Sequence, residues 1–171
     1  GSAFDNVCNL TGQDNLIQFN TAARGGGLYN DAQFATISNT LLSGNRASAD
    51  GGGLFINAGG AISLTNSALI ANQAAQDGGA IYNSGVISLS NMTVSGNSAS
   101  GMGGGIANFD LVNLVNTTFS DNTSSNGAGL FNASVVNIKN SLIALNLGDN
   151  CLGVLNSQGH NLEDGGTCAL G

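Results

Sequence analysis

The sequence predicts an all-β protein, a right-handed parallel β-helix of about five full coils with a repeat of 24 to 27 residues. Three observations predict it. A three-part motif recurs five times. Apolar and polar residues alternate within the motif. Residues one repeat apart share a chemical type, as stacked coils require.

The first part of the motif is glycine-rich and closes on asparagine. It reads GGLYN to Asn30, GGLFIN to Asn57, GGAIYN to Asn83, GGIAN to Asn108 and AGLFN to Asn132. The second part reads ATISN to Asn39, ISLTN to Asn66, ISLSN to Asn91, VNLVN to Asn116 and VNIKN to Asn140. The third reads LSGN to Asn45, LIAN to Asn72, VSGN to Asn97, FSDN to Asn122 and IALN to Asn146. Each piece is too short for a helix, and Ile87 and Leu89 alternate with Ser88 and Ser90, the period of a half-buried strand. About 25 residues at roughly 3.3 Å each make a circuit near 80 Å, which suits a three-sided coil. The right-handed sense follows the usual sense of parallel crossovers.

Stacking coils about 4.8 Å apart turns equal phase into columns. Three inward columns are wholly apolar: Ile37, Leu64, Leu89, Leu114, Ile138; Leu28, Leu54, Ile81, Ile106, Leu130; and Leu42, Leu69, Val94, Phe119, Ile143. A slip of one residue would expose all of them, so the register is well specified. The three asparagine columns mark corners, because asparagine tolerates left-handed backbone and its amide both donates and accepts. Sequons at Asn91 and Asn116 offer glycosylation as a competing reading. The phase favours a structural ladder. Residues 1–24 form an irregular N-terminal coil or cap, 25–146 the repeats, and 147–171 a C-terminal capping coil.

Composition narrows the function. The chain has 171 residues, one domain by size, with 27 Gly and no Pro or Trp. Only 8% is charged, against about 25% in ordinary proteins. Lys and Arg total three (Arg24, Arg46, Lys139) and the formal charge is -7. Nucleic acid and anionic membrane surfaces need clustered cations, so neither is an expected partner, and a polyanionic substrate is disfavoured on the same ground. The apolar fraction of 42% is periodic, which argues against disorder. No run approaches the roughly 20 apolar residues of a membrane helix, so no direct membrane insertion is expected. There is no basic segment followed by an apolar stretch at the start, and Gly1-Ser2 reads as a tag remnant on a piece of something larger. Cys8, Cys151 and Cys168 are an odd count, consistent with an exported protein holding one disulfide and one leftover thiol. Their spacing fits no zinc site, and His160 is the only histidine. Cys8 is either buried or links two chains.

The GGAI at Gly78 to Ile81 and the FSDN at Phe119 to Asn122 resemble the paired GGAI and FxxN motifs of polymorphic outer membrane proteins. Those are bacterial autotransporter passengers. The repeats are also similar to those of bacterial surface and secreted proteins with pectin-lyase-like folds. The resemblance covers roughly residues 25 to 146. It implies a bacterial, exported, extracellular or cell-surface location and, more loosely, adhesion. The tail from Asn150 to Cys168 resembles the closing coil of such proteins, which implies a Cys151–Cys168 disulfide.

Polysaccharide lyases and hydrolases share this fold, which makes a catalytic site the competing expectation. Lys139 faces out beside Asn137 with no acid or second base nearby. The outward columns Thr36, Ser63, Ser88, Asn113, Asn137 and Ser38, Thr65, Ser90, Val115, Lys139 hold no carboxylate, whereas hydrolases need a carboxylate pair. His160 lies in the cap without a partner for serine chemistry. No catalytic residue and no cofactor is assigned. Asp50 and Asp77 fall in one column with Arg24, and are the candidates for a cation site, set against a solvated turn. Tyr29, Phe55, Tyr82 and Phe131 form an aromatic column, interrupted by Ala107, that either stacks on sugar rings or covers its own turns; an extra residue at Ile56 complicates Phe55. The Ser/Thr face resembles an ice-binding array, but the columns drift to Asn, Val and Lys.

The expected function is a non-enzymatic surface or secreted module, an adhesin-like contact or spacer segment meeting glycan or cell-surface protein. The alternatives are a polysaccharide-active enzyme with its site incomplete in this segment, and an ice-binding solenoid. An open coil end is a sheet edge, so the chain is a monomer or associates end to end.

Overall fold

The computed structural model describes the backbone of residues 4–6 and the whole of residues 9–170. Cys8, and with it the choice between a buried and a linking thiol, lies outside the described residues. All regular structure among them is β, and every strand pairing is parallel between one coil and the next, with a register shift of 24 to 27 residues that shortens to 19 to 21 onto the last coil. The chain is a parallel β-solenoid of about six turns.

Three sheets run along it. One contains seven short strands, among them Leu28–Asn30, Ile81–Asn83 and Leu130–Asn132. The largest has eleven strands and is centred on Ala61–Ile70, Val86–Ser95 and Leu111–Ser120. The third has four two-residue strands, Thr21–Ala22, Arg46–Ala47, Gln73–Ala74 and Ser98–Ala99. The motif-bearing copies do not exhaust the stack. Leu10–Gln13, Leu16–Gln18 and Thr21–Ala22 lack the glycine motif, yet they pair in register with the next coil.

The three apolar columns face inward and are buried. The register is the one that equal phase requires: Leu64 pairs with Ile37 and Leu89, and Leu114 with Leu89 and Ile138. A fourth inward column, Ala35, Ile62, Ile87, Val112 and Val136, continues the same alternation two residues earlier. Gly12 stands where later coils have Ile or Leu, and a cavity of about 30 Å³ opens there against Ile17, Leu28 and Ile37.

The repeat length varies at two turns: the glycine-rich side loses one residue between Thr123 and Asn126, and the turn before the largest sheet varies more. Between the first and second parts of the motif the chain spends two residues at 84–85 but four at 57–60. The extra length corrects one expected ladder position. Ile56, fully buried, pairs with both Asn30 and Asn83, so Asn57 is pushed out of the column. Its amide donates to Asp31 Oδ1 at 2.8 Å instead. Phe55 keeps its register with Tyr29 and Tyr82.

The glycine motif has two separate causes. Gly78 has φ +68°, left-handed backbone that a side chain resists. At Gly79 a Cβ would run into the carbonyl oxygen of Gly104 on the next coil and the backbone of Ser98. One glycine turns the chain and the next lets two coils approach.

Candidate functional site

The three asparagine columns differ in what they bond. Asn45, Asn72, Asn97 and Asn122 are buried, and each amide reaches the next coil: Asn72 Nδ2 donates to Asn97 Oδ1, and Asn97 Nδ2 to Asn122 Oδ1. Each also serves the backbone. Asn97 Oδ1 accepts the Asn72 N–H at 2.9 Å, and Asn97 Nδ2 donates to the Leu69 carbonyl at 2.9 Å. The chain extends beyond the motif copies, from Asn20 at one end through Asn146 to Asn150 at the other. Asn150 Nδ2 then donates to Glu163 Oε1 and Asp164 Oδ1. All these donors point toward the C-terminal end, and carboxylates receive the last of them.

A second column, Asn83, Asn108 and Asn132, ladders in the same way at 2.8 Å, and each Oδ1 also accepts the N–H two residues on, closing the turn. Asn30 donates to the Gln33 carbonyl in its own turn. The third column, Asn39, Asn66, Asn91, Asn116 and Asn140, is exposed and in left-handed backbone with φ from 49° to 56°. There Asn91 Nδ2 donates to Asn66 Oδ1 and Asn116 Nδ2 to Asn91 Oδ1, both at 2.9 Å, and Asn39 Nδ2 reaches Asp14. Behind it runs a buried column absent from the sequence reading: Thr40, Ser67, Met92, Thr117 and Ser141. The hydroxyls bond back to the carbonyl two residues earlier, and the Thr40 and Thr117 amides donate to the hydroxyl on the next coil. They brace the bend at which the exposed asparagines stand.

Asp50 and Asp77 do stand on successive coils beside Arg24. Arg24 Nε lies 3.3 Å from Asp50 Oδ2. Asp50 Oδ1 accepts the Asp77 N–H at 3.4 Å, and Asp77 Oδ1 accepts the Met102 N–H at 2.8 Å. Each carboxylate thus caps the glycine turn of the following coil. No group of three His, Cys, Asp or Glu suited to a metal occurs among the described residues.

The aromatic column is a continuous run of ring contacts, stacked at one end and tilted at the other. Tyr29 and Phe55 lie 5.2 Å apart at 0°, and Phe55 and Tyr82 4.8 Å apart at 4°. Phe109 fills the gap left by Ala107, 5.0 Å from Tyr82 and 5.7 Å from Phe131. It sits two residues past the column position and reaches back from the turn, so equal phase did not find it. The Arg24 guanidinium covers Phe55 at 5.3 Å from the ring centre. Burial, together with the Asp50 and Asp77 charges, pushes the Tyr82 phenol above its ordinary pKa against the opposing Arg24. Tyr29, Phe55 and Tyr82, stacked face to face, offer a ligand their edges rather than the faces they share.

Lys139 is exposed next to Val115 on the preceding coil, and His160 is exposed in the cap with φ +58°. The outward Asn113, Asn137 and Asn156 form a further short ladder at 2.9 and 3.3 Å. Cys151 and Cys168 are disulfide-bonded and buried. Beside them Glu163 gathers bonds from Asn150, Gly165, Thr167 and the Cys168 amide. Burial pushes the Glu163 carboxyl up, but the bonds from Asn150, Thr167 and Cys168 outweigh it and hold it below the ordinary range. Bonds from Asn150 and the Leu145 amide lower Asp164 likewise.

These features define a class, the parallel β-solenoid with asparagine ladders and a disulfide-closed end. Comparison of the chain with protein-family models, curated proteins and solved structures finds no match to any of them.

Proposed function

We propose that the chain is a non-enzymatic module of an exported bacterial surface or secreted protein, a rigid passenger-like segment that spaces and presents a surface for weak, repeated contact with glycan or protein. One observation supports this reading: the carboxylates that the fold gathers, on the glycine turns and in the cap, are engaged in holding coils together. Asp50 and Asp77 cap turns, Glu163 and Asp164 terminate the buried ladder, and every buried side-chain polar atom among the described residues has a partner. A catalytic carboxylate needs a free face toward substrate. The Cys151–Cys168 bond suits an oxidising compartment, and the GGAI and FxxN resemblance points the same way.

The test is a reducing-end assay over a panel of plant, algal and bacterial polysaccharides, run beside a glycan and surface-protein binding array. The expected result is binding without turnover. Release of reducing ends from any polymer overturns the reading.

A further inference from the structure

We propose that the exposed asparagine column is a binding groove for an extended neutral glycan laid parallel to the solenoid axis; the inference rests on the contact-module reading and specifies its ligand. The largest sheet bends at this column, and a shallow open groove follows the bend across three coils. Asn39, Asn66 and Asn91 line one side, and Leu41, Ala68 and Thr93 the other.

Hydrogen-bonding capacity comes first. A carboxamide has two N–H groups and an oxygen with two lone pairs. Within the ladder Asn91 uses one N–H toward Asn66 and one lone pair for Asn116. One donor and one acceptor are left at the groove. Asn66 Nδ2 makes no bond among the described residues and keeps both donors. The buried column has no such reserve, because backbone groups take it.

Pre-organisation comes second. Asn91 is fixed at 2.9 Å to Asn66 and Asn39 at 3.1 Å to Asp14, and all three asparagines stand on left-handed backbone braced from behind by Ser67 and Thr40. Little side-chain freedom remains to be lost on binding.

Charge and spacing then select the ligand. No lining residue is charged, so a phosphate or uronate meets no cation. The donors and acceptors repeat once per coil, roughly every 4.8 Å. An extended peptide repeats its outward groups about every 6.6 Å and falls out of step within two coils. One pyranose ring of an extended glycan spans close to one coil. Its hydroxyls meet the amides while its C–H face lies over Leu41 and Ala68.

The experiment is affinity electrophoresis of the whole chain in gels containing laminarin, hydroxyethyl cellulose or dextran, with polygalacturonate and dextran sulfate as charged comparators. At least one neutral polymer is expected to retard the protein, at least tenfold more strongly than either charged one. Ala68→Trp and Thr93→Trp fill the groove from half-buried and exposed positions without touching the ladder. Each is expected to lower apparent affinity at least tenfold, while Gln73→Trp on the third sheet changes nothing. The groove is overturned if no neutral polymer retards the protein, if both groove variants bind like the parent, or if Tyr82→Ser abolishes binding that they leave intact. None of these outcomes involves turnover, so each leaves the non-enzymatic reading standing.

Discussion

Asn91 and Asn97 belong to the same coil, and each stacks on the asparagines of neighbouring coils. Asn97 is fully buried, and its amide satisfies an N–H and a carbonyl that no water reaches. Asn91 is exposed, and its amide bonds only to other exposed amides. Identical residues at identical spacing therefore do different work. The buried column substitutes for missing backbone partners at a turn, while the exposed column holds a bend and keeps bonding capacity to spare. Directionality differs as well. Donors in the buried column point toward the cap, where Glu163 and Asp164 receive them, and donors in the exposed column point toward Asp14 at the other end. Backbone bonds fix the orientation of each buried amide, which makes the alignment a property of the fold.

The largest effect expected from breaking this comparison is in the buried column. Asn97→Ala leaves the Asn72 N–H and the Leu69 carbonyl buried without their side-chain partner and interrupts the ladder. Each unsatisfied group costs about 1–3 kcal/mol, so a loss of about 3–5 kcal/mol is expected in urea unfolding. A loss under about 1 kcal/mol would place Asn97 with the exposed asparagines and erase the distinction.

The cap that receives the buried ladder comes next. Cys151 and Cys168 are separated by 17 residues, and Cys168→Ser frees that loop in the unfolded chain, worth about 3 kcal/mol. Hydrogen exchange is expected to show the loss first in residues 147–170, with the middle coils protected. Uniform loss along all coils would mean that the cap holds the whole stack rather than its own rung.

Acid probes the same end more gently. Glu163 and Asp164 are both depressed in the folded chain, so their contribution is present above the unfolded values and is lost as pH falls through the folded ones. Stability to urea is therefore expected to fall on acidification below about pH 4.3, the ordinary glutamate value. Glu163→Gln is expected to flatten that dependence while lowering stability at neutral pH. An unchanged slope in the variant would remove Glu163 from the ladder's end.

Most of the architecture was legible because a solenoid writes its contacts as equal phase. Leu64, Leu89 and Leu114 are recognisable as vertical neighbours from spacing alone, and they pair so. The same rule fails wherever a residue leaves its phase. Ile56 and Asn57 compete for one slot, and only the backbone register shows that the apolar side chain takes it. Phe109 completes the ring stack from a turn, out of phase with Tyr82 and Phe131. The hydroxyl column behind the exposed asparagines is broken in the sequence by Met92, which hides its period. Glu163 and Asp164 lie in a tail that repeats nothing. Burial is the remaining gap: spacing cannot say whether an asparagine column points in or out, and that difference separates scaffold from candidate site.

The smallest expected effect is on the exposed column, and two variants separate its causes. Asn91 has φ +56°, a conformation that asparagine tolerates, glycine accepts freely and alanine resists. Asn91→Ala removes the two ladder bonds and adds backbone strain, and is expected to cost about 1 kcal/mol. Asn91→Gly removes the same bonds and relieves the strain, and is expected to stay within about 0.5 kcal/mol of the parent, as an ordinary surface change does. If both variants cost alike, and more than about 1.5 kcal/mol, the amide bonds rather than the backbone hold this corner. The exposed ladder would then be as structural as the buried one, with no capacity to spare for a ligand.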